Sequence, residues 1–323
     1  MSRVRTVSLF VSACVLLGPL AASASAQTIY PLTRAEILAG SKFDLKVEMP
    51  GEVAASDLKV TINGRDAALA LGKPAKVVQK EDGFDQTAYW IKDAALTAPG
   101  RYTVTATAGD KTKTVTWEVF GTPRRRARNV ILFIGDGMSV AHRIAARILS
   151  KGIVEGRYGG ELAIDDMPHM ALVSTSGSDS VVTDSANSMH AYTTGHKSCN
   201  NALGVYCAKN KSPLDHPKVE TIGEVVRRRH KMALGIVTNT EIEDATPAGV
   251  VAHDRARSDY DNIVRMFFDA KPEVLLGGGR ANFLPKSAEG SRRKDETDYV
   301  KAFKDAGYAY ATTATELKAA GAD

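Results

Sequence analysis

Residues 129–138 read Asn-Val-Ile-Leu-Phe-Ile-Gly-Asp-Gly-Met, five apolar side chains followed by an aspartate between two glycines. A continuous apolar run of this kind is typical of a strand buried on both faces of a parallel sheet. The flanking glycines allow close approach to Asp136, so its carboxylate can face a metal ion at the carboxyl end of that strand. An ordinary turn aspartate is the alternative, and this motif alone leaves it open.

Helix signals follow this run at regular intervals. Ser139 can cap a helix whose apolar residues recur at helical spacing, Thr221 and Glu224 form a capping box, and Thr246 precedes a proline suited to the first helical turn. Apolar runs between these helices predict further strands at residues 233–237 and 274–276. Alternating strands and helices predict an α/β domain over residues 129–323, built on a doubly wound, mainly parallel sheet. Ligands of such sheets bind at the carboxyl ends of the strands.

The sequence before residue 121 has a different pattern, with frequent turns and period-two alternation. Segments that predict half-buried strands lie at residues 43–47, 58–62, 87–91, 102–106 and 115–119. Five such strands predict an antiparallel, immunoglobulin-like β-sandwich over residues 27–120, with a structural or weakly adhesive accessory role. Residues 121–128 form a basic linker, which we expect to be solvated; contact with an anionic surface is the alternative.

The composition is that of a folded chain, with 323 residues, 44% hydrophobic and 24% charged. The formal charge of +5 falls to +3 without Arg3 and Arg5, and to −1 without the four linker arginines as well, which are Arg124, Arg125, Arg126 and Arg128. Because the basic excess lies in the two segments that carry these arginines, we expect no nucleic-acid partner.

Residues 1–26 have the organisation of a signal peptide. A basic start precedes an apolar run at residues 7–20, and Ala24-Ser25-Ala26 is a small-residue cleavage site. The pattern predicts cleavage after Ala26 and a periplasmic or secreted protein, with no membrane attachment afterwards. Lipidation at Cys14 is the alternative, but the apolar run continues beyond that cysteine.

Two cysteines remain after removal of the leader, Cys199 and Cys207. An even number in an oxidising compartment predicts a disulfide that closes a short loop. Two unpaired thiols are the alternative.

Two polar motifs stand where helices begin. Ser185 follows Thr183 and Asp184 at the start of a short helical stretch, where backbone N–H groups and the helix dipole favour a phosphate. Asp244 and Thr246 stand at the start of a later helix. Helix capping explains each motif equally well when it is taken alone.

The motifs together resemble bacterial alkaline phosphatase, in order and in spacing. The resemblance covers about residues 129–285, and its motifs are residues 129–138, 182–186, 193–197, 201–205, 244–248 and 252–253. It identifies residues 129–323 with the N-terminal half of that family's catalytic domain. The activity implied is hydrolysis of small phosphate monoesters through a phosphoserine intermediate, with two Zn²⁺ ions and one Mg²⁺ ion. A homodimer is one of the oligomeric states that the sequence leaves open.

The resemblance also implies roles for individual residues. Ser185 would be the nucleophile that becomes phosphorylated and would contact metal, and Asp136 would bridge one zinc ion and the magnesium ion. Thr246 would bind magnesium, with Asp244 supporting it through water. Arg257 would hold two phosphate oxygens. Arg255 competes with Arg257 for this role.

The family's other metal ligands belong to the second half of its catalytic domain, so the domain is expected to be incomplete, truncated at its C-terminal end, and nearly inactive alone. Two Asp and His pairs are rejected as substitutes, Asp165 with His169 and Asp215 with His216, because neither lies in the family's context. The remaining histidines are expected in helices or loops: His142, His190, His196 and His230. Alternative functions are a non-catalytic secreted binding protein, an inactive remnant, or a related phosphodiesterase or sulfatase.

Overall fold

The computed structural model describes residues 27–124 and 127–321. The predicted signal peptide, its cleavage site and Cys14 lie outside these residues, so the expectations about export stay predictions. In the described part of the chain, no helix is both long and apolar enough to cross a membrane.

The N-terminal part is a sandwich of two sheets. Its strands are β1 (Thr28–Tyr30), β2 (Ala35–Leu38), β3 (Lys42–Pro50), β4 (Leu58–Ile62), β5 (Arg65–Asp66), β6 (Lys76–Gln79), β7 (Gln86–Ala95), β8 (Gly100–Ala108) and β9 (Lys111–Phe120), with the short helix α1 (Ala67–Leu71) after β5. One sheet has the order β1-β3-β7-β6 and the other β2-β9-β8-β4-β5. Neighbours are antiparallel except β2 and β9. Strands form at all five predicted segments, but residues 43–47 and 87–91 are buried on both faces and not half-buried as predicted. The name immunoglobulin-like stays a prediction.

The inward side chains of the two sheets form the core of the sandwich. Phe43 and Trp117 pack edge to face with ring centroids 5.4 Å apart, and the Trp117 indole donates to the carbonyl of Pro31. Aromatic side chains of this size contribute much of the buried apolar area of a small core.

The second part of the chain carries the remaining elements. They are α2 (Val140–Lys151), β10 (Ile153–Val154), β11 (Arg157–Tyr158), α3 (Ser185–Thr194), α4 (Ile222–His230), β12 (Gly235–Glu241), α5 (Ala245–Ala248), α6 (Tyr260–Ala270), β13 (Val274–Gly278), α7 (Tyr299–Asp305) and α8 (Ala314–Ala319). The predicted capping box of α4 is confirmed: the Glu224 amide donates to the Thr221 hydroxyl, and the Thr221 amide donates to the Glu224 carboxylate. Strands β12 and β13 pair in parallel, as expected for an α/β domain.

The prediction of a buried strand at residues 130–134 is wrong for this structure. The segment has no strand partner among the described residues, and its Phe133 is 88% exposed. A strand forms when its N–H and C=O groups pair with a neighbour, and an apolar run is buried only where another surface covers it. Of the predicted doubly wound sheet, the described residues from 127 to 321 form only one parallel pair of strands, β12 and β13.

Helix α2 begins after Ser139 as predicted, but none of its residues is buried. Its apolar stripe therefore faces solvent together with residues 130–134.

Strand β3 joins the two parts of the chain, because its outward side chains are covered as well as its inward ones. Asp44, Lys46 and Glu48 alternate with the core residues, yet all three are buried. The Asp44 amide donates to the carbonyl of Lys218, and Phe43 pairs with Val219 in an antiparallel bridge. The prediction that residues 43–47 form a half-buried strand is wrong in its burial, because the segment around residues 205–220 covers the outer face of the strand.

An aromatic cluster lies at the same junction. Tyr30 of the sandwich packs on Tyr206, and Tyr206 contacts the rings of His190 and His196. Both histidines are buried, and removal from water lowers the pKa of His190 to about 3 and that of His196 to about 4.

Because His190 and His196 have lowered pKa values in the folded state, we predict that the protein loses stability in acid. In the unfolded chain they titrate near pH 6.5, so between about pH 6.5 and 4 the unfolded state binds more protons than the folded one. Their contribution is fully present above pH 6.5, and the free energy of unfolding falls on acidification by up to ~1.4 kcal/mol per pH unit for each histidine. Denaturant unfolding from pH 7 to 4.5 measures this slope. His190→Leu should flatten it, whereas His230→Leu at an exposed histidine should not. Identical slopes for His190→Leu and the unmodified chain would contradict the assignment.

Candidate active site

Helix α3 begins at Ser185, and Asp184 is its N-cap. Asp184 Oδ1 accepts from the amide of Asn187 at 3.0 Å, and the Asn187 side chain accepts from the amide of Asp184 in return. This capping box fixes where the helix starts, and so places Ser185 in its first turn. The first N–H groups of a helix have no intrahelical partner and carry the positive end of the dipole, so an anion is favoured beside Ser185.

Asp136 brings two hydroxyl groups together. The Ser185 Oγ donates to its carboxylate, 3.0 Å from both oxygens, and the Thr246 Oγ1 donates to its Oδ2 at 3.0 Å. Asp136 stands in a turn closed by a hydrogen bond from the Met138 amide to the Gly135 carbonyl. The next residue, Gly137, has φ +68°, a conformation that glycine adopts without strain.

Thr246 reaches this carboxylate from the carboxyl end of β12. The strand ends at Glu241, and Asp244 caps the following helix α5 by accepting from the Ala245 amide. The sheet edge predicted to bind ligands therefore supplies Asp244 and Thr246, although α5 is only four residues long.

Arg257 links two of the helix starts. Its Nη2 donates to Asp244 Oδ1 at 2.7 Å, and its Nη1 lies 3.5 Å from Asp184 Oδ2. Burial disfavours the positive charge, but the carboxylates of Asp244 and Asp184 outweigh burial and raise the pKa of Arg257 above its ordinary value. Arg255, the competing arginine, donates instead to the carbonyl of Asn200.

The predicted site residues thus meet at one place: Asp136, Ser185, Asp244, Thr246 and Arg257. Cys199 and Cys207 form a disulfide nearby in sequence, with Cα atoms 6.1 Å apart. The sequence alone indicates no role for Asp184 beyond a helix cap, and none for Asn201 beyond its place in a family motif. The Asn201 amide donates to Asp184 Oδ2 at 3.0 Å, a contact that only the folded chain reveals.

The two Asp and His pairs that the sequence pattern excluded as zinc ligands lie outside this site. Asp165 accepts hydrogen bonds from Arg143 and Arg147; the bond from Arg147 and one from the Leu162 amide hold the pKa of Asp165 far below its usual range. His216 is buried, and its Nδ1 accepts from the Ala208 amide.

The donor atoms of the site are oxygens. Asp136, Asp244 and the two hydroxyls suit Mg²⁺, which takes one or two carboxylates and keeps several waters. Catalytic zinc needs about three protein ligands, usually including histidine or cysteine. Over residues 27–124 and 127–321, no three His, Cys, Asp or Glu side chains form a metal-binding group. The residues present therefore fit magnesium and do not fit a pair of zinc ions.

Comparison with known proteins identifies the family. The model of the alkaline phosphatase family matches residues 127–323, more than half of the chain. The chain belongs to the alkaline phosphatase family. Among curated alkaline phosphatases, that of Escherichia coli is 34% identical over 220 residues, which cover 60% of this chain and 43% of the relative. Alkaline phosphatase H of Pseudomonas aeruginosa is 33% identical over 221 residues, covering 61% and 44%.

Solved alkaline phosphatases are also similar to this chain. The Thermus thermophilus structure has a TM-score of 0.49 and 29% identity, and covers 60% of this chain and 38% of its own. A TAB5 alkaline phosphatase mutant with Mg bound has a TM-score of 0.43 and 26% identity, with coverage of 53% and 44%. The chain spans about two fifths of the length of the curated alkaline phosphatases that it matches.

The geometry predicts that Asp184 stabilises the fold by more than a cap. Asp184→Ala removes the α3 cap bond, worth about 1 kcal/mol, and leaves the Asn201 amide and Arg257 without that carboxylate. Asp298→Ala is the matched control, because Asp298 caps α7 through one amide and contacts none of these groups. Denaturant unfolding should show a larger loss for Asp184→Ala than for Asp298→Ala, and equal losses would contradict the arrangement.

Proposed function

We propose that residues 129–323 are the nucleophile-bearing part of a metal-dependent phosphomonoesterase that acts through a phosphoserine intermediate. The observation that carries the proposal is the Ser185 hydroxyl, which donates to Asp136 at a helix N-terminus beside Arg257. Family membership supports the reaction class. Small phosphate monoesters are the proposed substrates, and no nucleic-acid partner is proposed.

The proposed reaction has two displacements at phosphorus. The Ser185 Oγ gives up its proton to water and forms a bond to phosphorus while the ester P–O bond breaks; the leaving oxygen keeps the bonding electron pair and takes a proton from water. Water then attacks the phosphoserine, which releases inorganic phosphate and restores the serine hydroxyl.

The residues of this chain would bind and align the phosphate. The guanidinium fork of Arg257 can hold two phosphate oxygens, provided that it exchanges its bonds with Asp244 and Asp184 for bonds to the ligand. The first N–H groups of α3 add partial positive charge behind Ser185. Asp136 accepts the hydrogen bond of the serine hydroxyl and so orients its oxygen.

Magnesium is the metal that the described residues would hold, through Asp136 and Thr246, with Asp244 acting through water. When bound, a divalent cation neutralises negative charge and favours the deprotonated serine. For the two zinc ions expected from the family, the described residues contain no group of three His, Cys, Asp or Glu ligands, so no step of this proposal depends on zinc.

Three further expectations belong to the same proposal. Leader residues 1–26 would export the protein to the periplasm or beyond, and the sandwich at residues 27–120 would be an immunoglobulin-like domain. A homodimer is compatible with the proposal and measurable by light scattering.

A second candidate is a protein that binds phosphate without turning over an ester. The lack of a three-residue metal-binding group among the described residues favours it. Turnover of an aryl phosphate separates the two, since both predict binding of inorganic phosphate at Arg257.

The main test compares Ser185→Ala with Asp136→Asn in the exported chain. Ser185→Ala should abolish incorporation of ³²P into protein from a labelled monoester and leave the Mg²⁺ affinity within about 2-fold, because it removes the nucleophile and keeps the carboxylate. Asp136→Asn should weaken Mg²⁺ binding at least about 10-fold, because it removes the charged ligand. Calorimetric titration measures the affinities. Unchanged ³²P labelling in Ser185→Ala would overturn the role of Ser185, and an unchanged Mg²⁺ affinity in Asp136→Asn would overturn the role of Asp136.

A further inference from the structure

A short loop closed by the disulfide carries a left-handed residue. Within residues 199–207, the Ala202 amide donates to the Cys199 carbonyl at 3.3 Å and closes a turn, and Asn201 has φ +66° at the third position. Turns of this type need a positive φ there, which asparagine and glycine adopt most readily. The side chain of Asn201 is exposed, so the backbone makes this residue's contacts with the site.

That backbone touches both groups beside Ser185. The Asn201 amide donates to Asp184 Oδ2 at 3.0 Å, and its carbonyl accepts from the Arg257 amide at 2.9 Å. The same Oδ2 lies 3.5 Å from the Arg257 guanidinium. One residue therefore fixes the side chain of Asp184 and the main chain of Arg257.

The loop is also anchored by contacts of Leu203 and Gly204. Leu203 and Asp254 exchange two backbone hydrogen bonds of 2.8 Å. The Gly204 carbonyl accepts from His253 Nδ1 and from the Val219 amide, and a Cβ at Gly204 would overlap the Ala252 carbonyl oxygen. These contacts follow Asn201 in the chain and the disulfide-bonded Cys199 precedes it, so the loop is restrained on both sides of Asn201.

We propose that the Asn201 backbone, held by this disulfide-closed loop, is a positioning element that orients Asp184 and Arg257 for the oxygens of a bound phosphate. The inference rests on the proposed function, because it assumes that Arg257 binds phosphate. It assigns a role to a motif, residues 201–205, that the reaction itself does not use.

The test separates backbone conformation from side-chain chemistry at this position. Asn201→Gly keeps the left-handed φ, whereas Asn201→Val disfavours it strongly because valine is β-branched. Asn201→Val should weaken binding of inorganic phosphate about 10-fold, and Asn201→Gly should stay within about 2-fold of the unmodified chain. Lys271→Val is the matched control: it places valine at φ +48° at the end of α6, and it should leave phosphate affinity unchanged.

A double-mutant cycle shows whether Asn201 acts through Arg257. In an Arg257→Ala background, the effect of Asn201→Val on the phosphate dissociation constant should fall below about 2-fold, while its effect on thermal stability persists. An equal loss of affinity in both backgrounds would overturn the inference. If phosphate fails to bind the unmodified chain, or if Arg257→Ala does not weaken it, the proposed function and the inference both fail. If Arg257→Ala weakens binding and Asn201→Val does not, only the inference fails.

Two measurements keep the test open if Asn201→Val does not fold. The double variant Cys199→Ala/Cys207→Ala removes the covalent closure of the loop. It should weaken phosphate binding, and this effect should also fall in the Arg257→Ala background. Amide hydrogen exchange needs no phosphate: the Arg257 amide should exchange faster in that variant, because its acceptor is the Asn201 carbonyl. Unchanged exchange and unchanged phosphate affinity in the double variant would overturn the inference.

Discussion

The Asp184 carboxylate holds the candidate site together because its two oxygens serve different elements. Oδ1 caps helix α3, while Oδ2 faces the Asn201 amide and the Arg257 guanidinium. A charged acceptor forms stronger hydrogen bonds than a neutral one, and a rigid helix start keeps this one in place. The position of Ser185, one residue later, therefore depends on the same side chain that orients the arginine.

A second charged group, the ammonium of Lys46, secures the sandwich against the α/β part. It is completely buried and contacts Glu48, Glu81 and Asn210 at 2.6 to 2.9 Å. Removing such an ammonium from water costs several kcal/mol, which its contacts with the neighbouring carboxylates offset. Since Asn210 belongs to the covering segment, loss of that segment would leave the charge cluster partly exposed and β3 uncovered on one face.

Local signals in the sequence predicted local structure well. The capping box at Thr221 depends on residues three positions apart, and the strands of the sandwich depend on simple alternation, so both can be found without knowing the fold. The residues that meet at Asp136 were predicted by their resemblance to a family, since contacts such as Ser185 with Asp136 span 49 positions.

The failures share one cause, which is that burial depends on what lies opposite. Residues 130–134 have the apolar pattern of a central strand but no covering surface among the described residues, while the polar face of β3 is covered by a distant segment. Asn201 was missed for a related reason: its contribution comes from a backbone amide and carbonyl, which every residue type possesses, so only its tolerance of a positive φ distinguishes it in sequence.

The hydrogen bonds between β3 and the segment around residues 205–220 also bear on how this architecture can evolve. Lys46 meets Asn210 across 164 positions, and Asp44 meets Lys218 across 174. The sandwich is thus not a module that recombination could exchange freely at the linker, because a foreign sandwich would bring the wrong partners for that segment. The two parts therefore depend on matched residues that lie far apart in the sequence, and the change of sequence pattern near residue 121 marks a border in composition but not in packing.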